Sequence, residues 1–125
     1  MLDDLEVLAT VAVRDLQQAR QFYEGKLGLK PSEGAEPSTM TYRIGGTSLL
    51  IYASPYAGTN KATAVTWSVG TRIEALAKDL AAAGIVFEHY QMPGMTLDGD
   101  VHVSETMKVA WFKDPDGNIH ALAGA

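Results

Sequence analysis

The sequence predicts an α+β fold in which one β-α-β-β unit is used twice, and three observations support this prediction. Helix-starting signals at Asp15 and Thr71 lie 56 residues apart. Helix-ending glycines at Gly28 and Gly84 are separated by the same distance. Each predicted helix is followed by apolar strands that flank a turn signal. Matching start and stop signals at one offset indicate an internal duplication.

The first unit begins with a predicted strand at 5–14, LEVLATVAVR, which is rich in Val and Leu as buried strands are. Asp15 follows as the predicted N-cap of a helix, with Gln18 three residues later in a capping-box arrangement. Apolar residues then recur with helical spacing until Gly28 ends the helix. The predicted strands TMTYRI and TSLLIYAS come next, joined by a hairpin turn at Gly45-Gly46.

The second unit repeats this order. KATAVTWSVG at 61–70 is a predicted strand, and Thr71 with Glu74 forms a second capping box. An apolar stripe with helical spacing runs to Gly84, and the short strand IVFEHY follows it. The strands KVAWFK and NIHALA flank Asp-Pro-Asp-Gly at 114–117, which is a strong turn sequence because Pro presets φ and Gly tolerates left-handed geometry.

The second unit is longer than the first by residues 91–105, QMPGMTLDGDVHVSE. The two glycines, the proline and the three acidic residues of this segment predict a long loop. In a compact domain, a loop of this length is usually a lid, a binding loop or disordered. Whether it forms an ordered lid stays open at this point.

Composition excludes several classes of protein. The chain has 125 residues and a net charge of −5, which argues against nucleic acid and anionic membrane surfaces as partners, because both require a basic face. It has no cysteine, and therefore no thiolate ligand or nucleophile. The first residues, MLDDLEVL, are acidic where a signal peptide would be basic, and no apolar run reaches membrane-spanning length. We expect a cytoplasmic protein.

The repeated unit resembles that of the vicinal oxygen chelate superfamily, which contains glyoxalase I, extradiol dioxygenases, fosfomycin-resistance proteins and bleomycin-binding proteins. Three segments carry the resemblance: VAVRDLQQARQFYEGKLGLKP (11–31), RIEALAKDLAAAGI (72–85) and FKDPDGNIHAL (112–122). The resemblance implies two βαβββ modules with curved, cup-like mixed sheets and helices outside. It also implies a single domain over 1–125, with module one at about 1–58 and module two at about 59–125.

Metal-dependent members of that superfamily place one ligand on each of four cup-facing strand positions. Counting along the strands from the flanking motifs places these positions at four aliphatic residues: Leu8, Leu50, Ala64 and Ala121. Divalent cations need oxygen, nitrogen or sulfur donors, which Leu and Ala lack. We therefore predict no metal and no cofactor, and we place the chain in a metal-free branch of the superfamily.

Counting alternate residues from those positions gives the side chains that face the cup. We predict that the ligand-binding residues are Thr10, Met40, Tyr42, Leu50, Tyr52, Thr66, Ser68 and Trp111, with Met95 contributed by the long loop. An apolar and aromatic lining with a few hydroxyls is typical of a pocket for a small organic molecule. The alternative is that the aromatic residues fill the cup as core. Trp67 should face its helix.

Several polar residues have two interpretations. His120 precedes Ala121 and should point towards the helix layer as a structural histidine, although a one-residue slip in register would make it a ligand or base in the cup. Asp98, Asp100 and His102 are crowded into the long loop, where they form either a solvated turn or a metal site. The roles of His102 and His120 are therefore open.

Two hypotheses about function follow. The first is a metal-free protein that binds an apolar or aromatic compound, as the bleomycin-binding branch of the superfamily does. The second is a small-molecule enzyme of the same superfamily, similar to a glyoxalase, dioxygenase or isomerase. It would use Tyr42, Tyr52 or a histidine as acid or base, or an unconventional metal site. We favour binding and assign no catalytic residue. The resemblance also leads us to expect a homodimer.

Overall fold

The computed structural model describes residues 1–32 and 38–125. Two helical segments and two mixed sheets give the predicted α+β fold. The elements are β1 (Ala9–Val13), α1 (Leu16–Arg20) continued by a π-helical segment (Gln21–Lys26), β2 (Thr39–Ile44), β3 (Thr47–Ala53), β4 (Thr63–Gly70), α2 (Ile73–Ala82), β5 (Phe87–Glu88), β6 (Thr96–Asp98), β7 (Val101–Val103), β8 (Lys108–Lys113) and β9 (Ile119–Gly124).

The first sheet has the strand order β1-β3-β2, with β1 parallel and β2 antiparallel to β3. The second sheet has the order β4-β9-β8-β7-β6, and β5 pairs with β8. Here β4 is parallel to β9, and the other pairs are antiparallel. The two sheets therefore repeat one arrangement, in which the strand before each helix lies parallel to the last strand of its module.

The helix termini follow the sequence signals in three of four cases. Asp15 caps α1 by accepting hydrogen bonds from the backbone N–H groups of Gln17 and Gln18. Gly28 and Gly84 follow the two helices with φ of 72° and 99°, the left-handed geometry that favours glycine. The prediction for Thr71 is wrong, because α2 begins at Ile73 after Arg72 and has no side-chain cap.

The 91–105 segment contains two strands where the sequence predicted a loop. β6 and β7 pair around a tight turn in which Gly99 has a φ of 63°. β7 then pairs with β8, which extends the second sheet. β6 and β7 have three residues each, and alternation over so short a run does not indicate a strand, so the sequence did not predict the hairpin.

Both helices pack on one face of the two sheets. The main core there includes Val11 and Ile51 from the first sheet and Phe112 and Leu122 from the second. The π-helical segment buries two consecutive aromatic side chains, Phe22 and Tyr23, against this core. We call the opposite, helix-free face of the two curved sheets the cup face.

Side-chain polar contacts join the modules near the turn at 114–118. The Asn118 side-chain amide donates to the carbonyl oxygen of Ala12 at 2.8 Å. The Arg14 guanidinium donates to the Asp116 carboxylate at 3.1 Å and, within module one, to the carbonyl oxygen of Ala57 at 2.8 Å. The hairpin turn of module two is therefore attached to the end of β1 in module one.

Candidate functional site in the cup

The cup face of the first sheet carries three of the predicted site residues. Thr10 pairs with Leu50, and Tyr52 lies two positions further along β3 on the same face. Tyr52 is 38% exposed, whereas Leu49 and Ile51 on the other face are buried in the core. This half of the cup is open to solvent.

Met40 and Tyr42 lie on the helix side, opposite to the face that the sequence analysis predicted. Tyr42 pairs with Leu49, and Met40 pairs with Ile51, so both side chains are buried in the main core. The Tyr42 hydroxyl donates to Glu24 at 2.9 Å. The two-residue turn at Gly45-Gly46 places even-numbered residues of β2 opposite odd-numbered residues of β3, which explains the inverted register.

The second sheet places a row of three side chains across the cup face. Thr66 pairs with Ala121, and Ala121 pairs with Trp111. Ser68 occupies the next position of β4 on this face, opposite Ala123. Side chains at paired positions lie about 5 Å apart on one face. Thr66, Ala121 and Trp111 are therefore close neighbours.

Trp111 is largely covered by the segment that precedes β6 and by β7. It is 9% exposed and lies in a small cluster with Val109, Ile119 and Ala121, against which Tyr90 and Met95 pack. The indole ring meets the Tyr90 ring edge-on at 5.3 Å between centroids and the His102 imidazole at 4.8 Å. This half of the cup is partly filled by the protein's own side chains.

A cavity of about 400 Å³ remains beside Trp111. Its wall consists of Lys61, Ala62, Thr63, Tyr90, Gln91, Met92, Trp111 and Ile119. This volume lies in the range of sites for small organic ligands. Of these residues, Trp111 was predicted from the sequence to bind the ligand. Lys61 and Tyr90 gave no signal in the sequence, because their positions depend on how the chain crosses the cup.

A second cavity of about 270 Å³ lies between the modules. Thr10, Tyr52 and Ala64 line it, together with Asn118 and residues of the segment 56–60. Hydroxyl and amide groups dominate its polar surface. The segment 58–64 thus lines both cavities. The cavity between the modules is the polar, uncharged side of the cup, and the cavity beside Trp111 is its aromatic side.

The positions that correspond to metal ligands do not fit a metal ion. Leu50 pairs with Thr10, and Ala121 pairs with Thr66. The side chains beside these two positions on the cup face therefore carry hydroxyl groups or are apolar. Within residues 1–32 and 38–125, no group of three or more His, Cys, Asp or Glu side chains could hold a metal ion. The donor chemistry of a divalent cation site is therefore missing from the described part of the cup.

Within the segment 89–102, hydrogen bonds engage three polar side chains: His89, Asp100 and His102. The His102 Nε2 atom accepts the backbone N–H of Tyr90 at 2.9 Å, and its Nδ1 atom lies 3.2 Å from the carbonyl oxygen of Val109. His89 lies 2.8 Å from a carboxylate oxygen of Asp100. His102 therefore attaches the chain before β6 to β8.

His120 lies in the core on the helix side. Trp67 donates its indole N–H to His120 Nδ1 at 3.0 Å, so the ring is the neutral tautomer that carries its proton on Nε2. This N–H points to the Tyr23 oxygen at 2.9 Å, and the Tyr23 hydroxyl donates to Asp114 at 2.7 Å. Burial lowers the pKa of His120 to about 4. The expected orientation of His120 is confirmed.

We call this chain of Trp67, His120, Tyr23 and Asp114 the buried relay. Burial, followed by the nearby Asp114 carboxylate, raises the pKa of Tyr23 far above its usual range. Asp114 also accepts the Asn118 backbone N–H and side-chain amide, at 2.9 and 2.8 Å. The sequence indicated a turn at this place and gave no sign that Tyr23 reaches it.

Residues 7–122 match the sequence profile of the glyoxalase/bleomycin resistance protein/dioxygenase superfamily. No curated protein matches the chain at a significant level of sequence similarity. Within the described residues, no helix is long and apolar enough to cross a membrane.

Solved structures share the fold at low sequence identity. A glyoxalase/bleomycin resistance protein/dioxygenase from Alicyclobacillus acidocaldarius is 19% identical, with a TM-score of 0.71 over 97% of this chain and 91% of that one. A lactoylglutathione lyase from Agrobacterium tumefaciens is 14% identical, with a TM-score of 0.70 over 98% and 94%. A fosfomycin resistance protein from Mesorhizobium loti is also 14% identical, with a TM-score of 0.68 over 100% and 94%.

Proposed function

Since this chain belongs to the glyoxalase/bleomycin resistance protein/dioxygenase superfamily, we propose that it is a metal-free member that binds an apolar or aromatic compound in its cup. The observation that carries the proposal is the chemistry of the cup face. Aliphatic residues stand at the four positions where metal-dependent relatives have ligands, and a cavity of about 400 Å³ lies beside Trp111. The structural neighbours of this chain include a fosfomycin resistance protein and a lactoylglutathione lyase, so membership of the superfamily alone does not identify the function.

The proposed binding site combines the two cavities of the cup. Trp111 and Met92 supply apolar surface on one side, and Thr10 and Tyr52 supply hydroxyls on the other. Thr66 and Ser68 lie on the same face of β4, and Leu50 lies next to Thr10. Met40 and Tyr42 are not part of the proposed site, because their side chains are buried beneath the first helix.

The surroundings of the candidate acids and bases favour binding over catalysis. Both ring nitrogens of His102 and of His120 are engaged within the protein. Tyr42 is held by Glu24 on the helix side, and burial followed by this hydrogen bond raises the pKa of its hydroxyl. The enzyme alternative then depends on Tyr52, whose side chain lines the cavity between the modules, or on His89, which lies 2.8 Å from Asp100.

We further propose one domain over residues 1–125, with module one at about 1–58 and module two at about 59–125, acting in the cytoplasm as a homodimer. The contacts between Asn118 and Ala12 and between Arg14 and Asp116 support one domain, because they connect the two modules directly.

Native mass spectrometry of the freshly purified protein, followed by a ligand-observed NMR screen of aromatic compounds, tests the proposal. We expect a retained or added small molecule bound one per chain. Failure of every compound in a broad aromatic library to bind would indicate a filled cup.

The Tyr52→Phe substitution separates the binding hypothesis from the enzyme hypothesis. A binding protein loses about one hydrogen bond, worth roughly 0.5–1.5 kcal/mol, whereas an enzyme that uses this hydroxyl loses about a hundredfold or more in rate.

A further inference from the structure

The cavity beside Trp111 has an electrostatic asymmetry that the proposed function does not use. Lys61 lines it, and no Asp or Glu is found among the described residues that line this cavity or the one between the modules. The protein as a whole has a net charge of −5, so the mouth of this cavity departs from the average surface. A local excess of one sign of charge selects ligands of the other sign.

The acidic side chain closest in register to Trp111 already has a cationic partner. Glu88 pairs with Trp111 across the strands β5 and β8. Its carboxylate lies 3.4 Å from the ammonium of Lys113, which belongs to the same strand as Trp111. Within the described residues, Lys61 has no such ion-pair partner. The positive charge at the cavity mouth is therefore not balanced by this carboxylate.

The remaining polar groups of the cavity suit an anion as well. The Thr63 hydroxyl and the Gln91 side-chain amide can both donate hydrogen bonds, and both residues line the cavity with Lys61. Trp111, Ile119 and Met92 form the apolar remainder of the wall. A planar ring can lie against this apolar surface while a carboxylate on the ring reaches Lys61.

We infer that the ligands of this site are aromatic acids, held by apolar contact with Trp111 and by ion pairing with Lys61. This inference rests on the proposed function and adds the charge class of the ligand. Lys61 is exposed, so its contribution is that of a solvated ion pair. Such pairs contribute modestly and are weakened by salt.

Three probes of one shape test the inference by isothermal titration: 2-naphthoate, its neutral methyl ester and 2-naphthylmethylamine. At low ionic strength, 2-naphthoate should bind about 1.4-fold to fivefold more tightly than the ester, the range expected for an exposed ion pair. The amine should bind most weakly, and 0.3 M NaCl should reduce the preference for the acid. Lys61→Met should abolish the preference, whereas Lys78→Met, which removes an exposed lysine from α2 on the helix side, should leave it unchanged.

The outcomes separate this inference from the function on which it rests. Equal binding of the acid and the ester, or a preference for the acid that survives Lys61→Met, would overturn the aromatic-acid assignment and leave the binding function standing. If none of the three probes binds, the proposed pocket fails, and the charge assignment fails with it.

Discussion

The Tyr23 hydroxyl donates a hydrogen bond of 2.7 Å to the Asp114 carboxylate and thereby joins the helix of module one to the hairpin turn of module two. Asp114 is 5% exposed, and Tyr23 is fully buried. A buried carboxylate needs such donors, since an unpaired charge in this environment is costly. This contact is therefore one of several that hold the two modules in their relative positions.

Tyr23→Phe should destabilise the protein by about 1–3 kcal/mol, because it leaves the His120 N–H without its acceptor and Asp114 with one donor fewer. Urea unfolding followed by circular dichroism measures the change. Tyr56→Phe is the matched control, since Tyr56 is 77% exposed and its substitution should change stability by less than about 0.5 kcal/mol. Equal effects of the two substitutions would show that the contact does not stabilise the fold.

Stability should fall as the pH is lowered from 6.5 to about 4. Burial lowers the pKa of His120 from 6.5 to about 4, so between these values the unfolded chain binds a proton that the native protein excludes. This contribution to the free energy of unfolding is fully present above pH 6.5 and is lost as the pH falls from there to about 4. The total loss is roughly 3 kcal/mol. Free energies of unfolding measured at several pH values should fall less steeply for His120→Gln. An unchanged pH dependence in this variant would contradict the assignment.

The two tryptophans should separate stability from binding. Trp67→Phe removes the indole N–H that His120 accepts and should cost about 1–3 kcal/mol in stability, with little change in the affinity of the folded protein for 2-naphthoate. Trp111→Phe reduces the aromatic wall of the cavity and should weaken this affinity by roughly twofold to tenfold. If Trp67→Phe lowered the affinity as much as Trp111→Phe does in folded protein, the site would be misplaced.

We expect a homodimer in solution, with a sedimentation mass of about twice 13.4 kDa at micromolar concentration. The resemblance to paired relatives is the basis of this prediction. The exposed apolar residues Leu2, Leu5 and Val7 before β1 are consistent with a covered surface. Val7→Asp should shift the protein towards the monomer. A wild-type monomer under these conditions would contradict the prediction.

The sequence predicted the parts of the fold that local chemistry determines. Gly28 and Gly84 end their helices because left-handed geometry favours glycine at those positions. The internal repeat predicted two units with one helix each, and the structure has one helix after β1 and one after β4. Thr71 failed as a cap because α2 begins after Arg72, and the side chain of Glu74 contacts Lys108 in β8 instead. A tertiary contact thus replaced the local one.

The site was predicted less well, because a cup depends on contacts between distant segments. The alternation of side chains along β8 correctly placed Trp111 on the cup face. The edge-on contacts of Tyr90 and His102 with its ring depend on how the segment 89–103 folds over β8, which the sequence did not indicate. The cavity that contains Lys61 could not be foreseen for the same reason. Met40 and Tyr42 could have been placed correctly, since a two-residue turn determines the pairing of β2 with β3.

A titration of metal-free protein shows whether the cup binds an aromatic compound without a metal. Protein treated with EDTA and shown to be metal-free by elemental analysis is titrated with 2-naphthoate, with and without added Zn²⁺, Ni²⁺ or Mn²⁺. We expect saturable binding of one molecule per chain with the same affinity in every case, because the side chains of Leu8, Leu50, Ala64 and Ala121 offer no donor atoms. Binding or turnover that appears only after a metal is added, with one ion retained per chain, would contradict it.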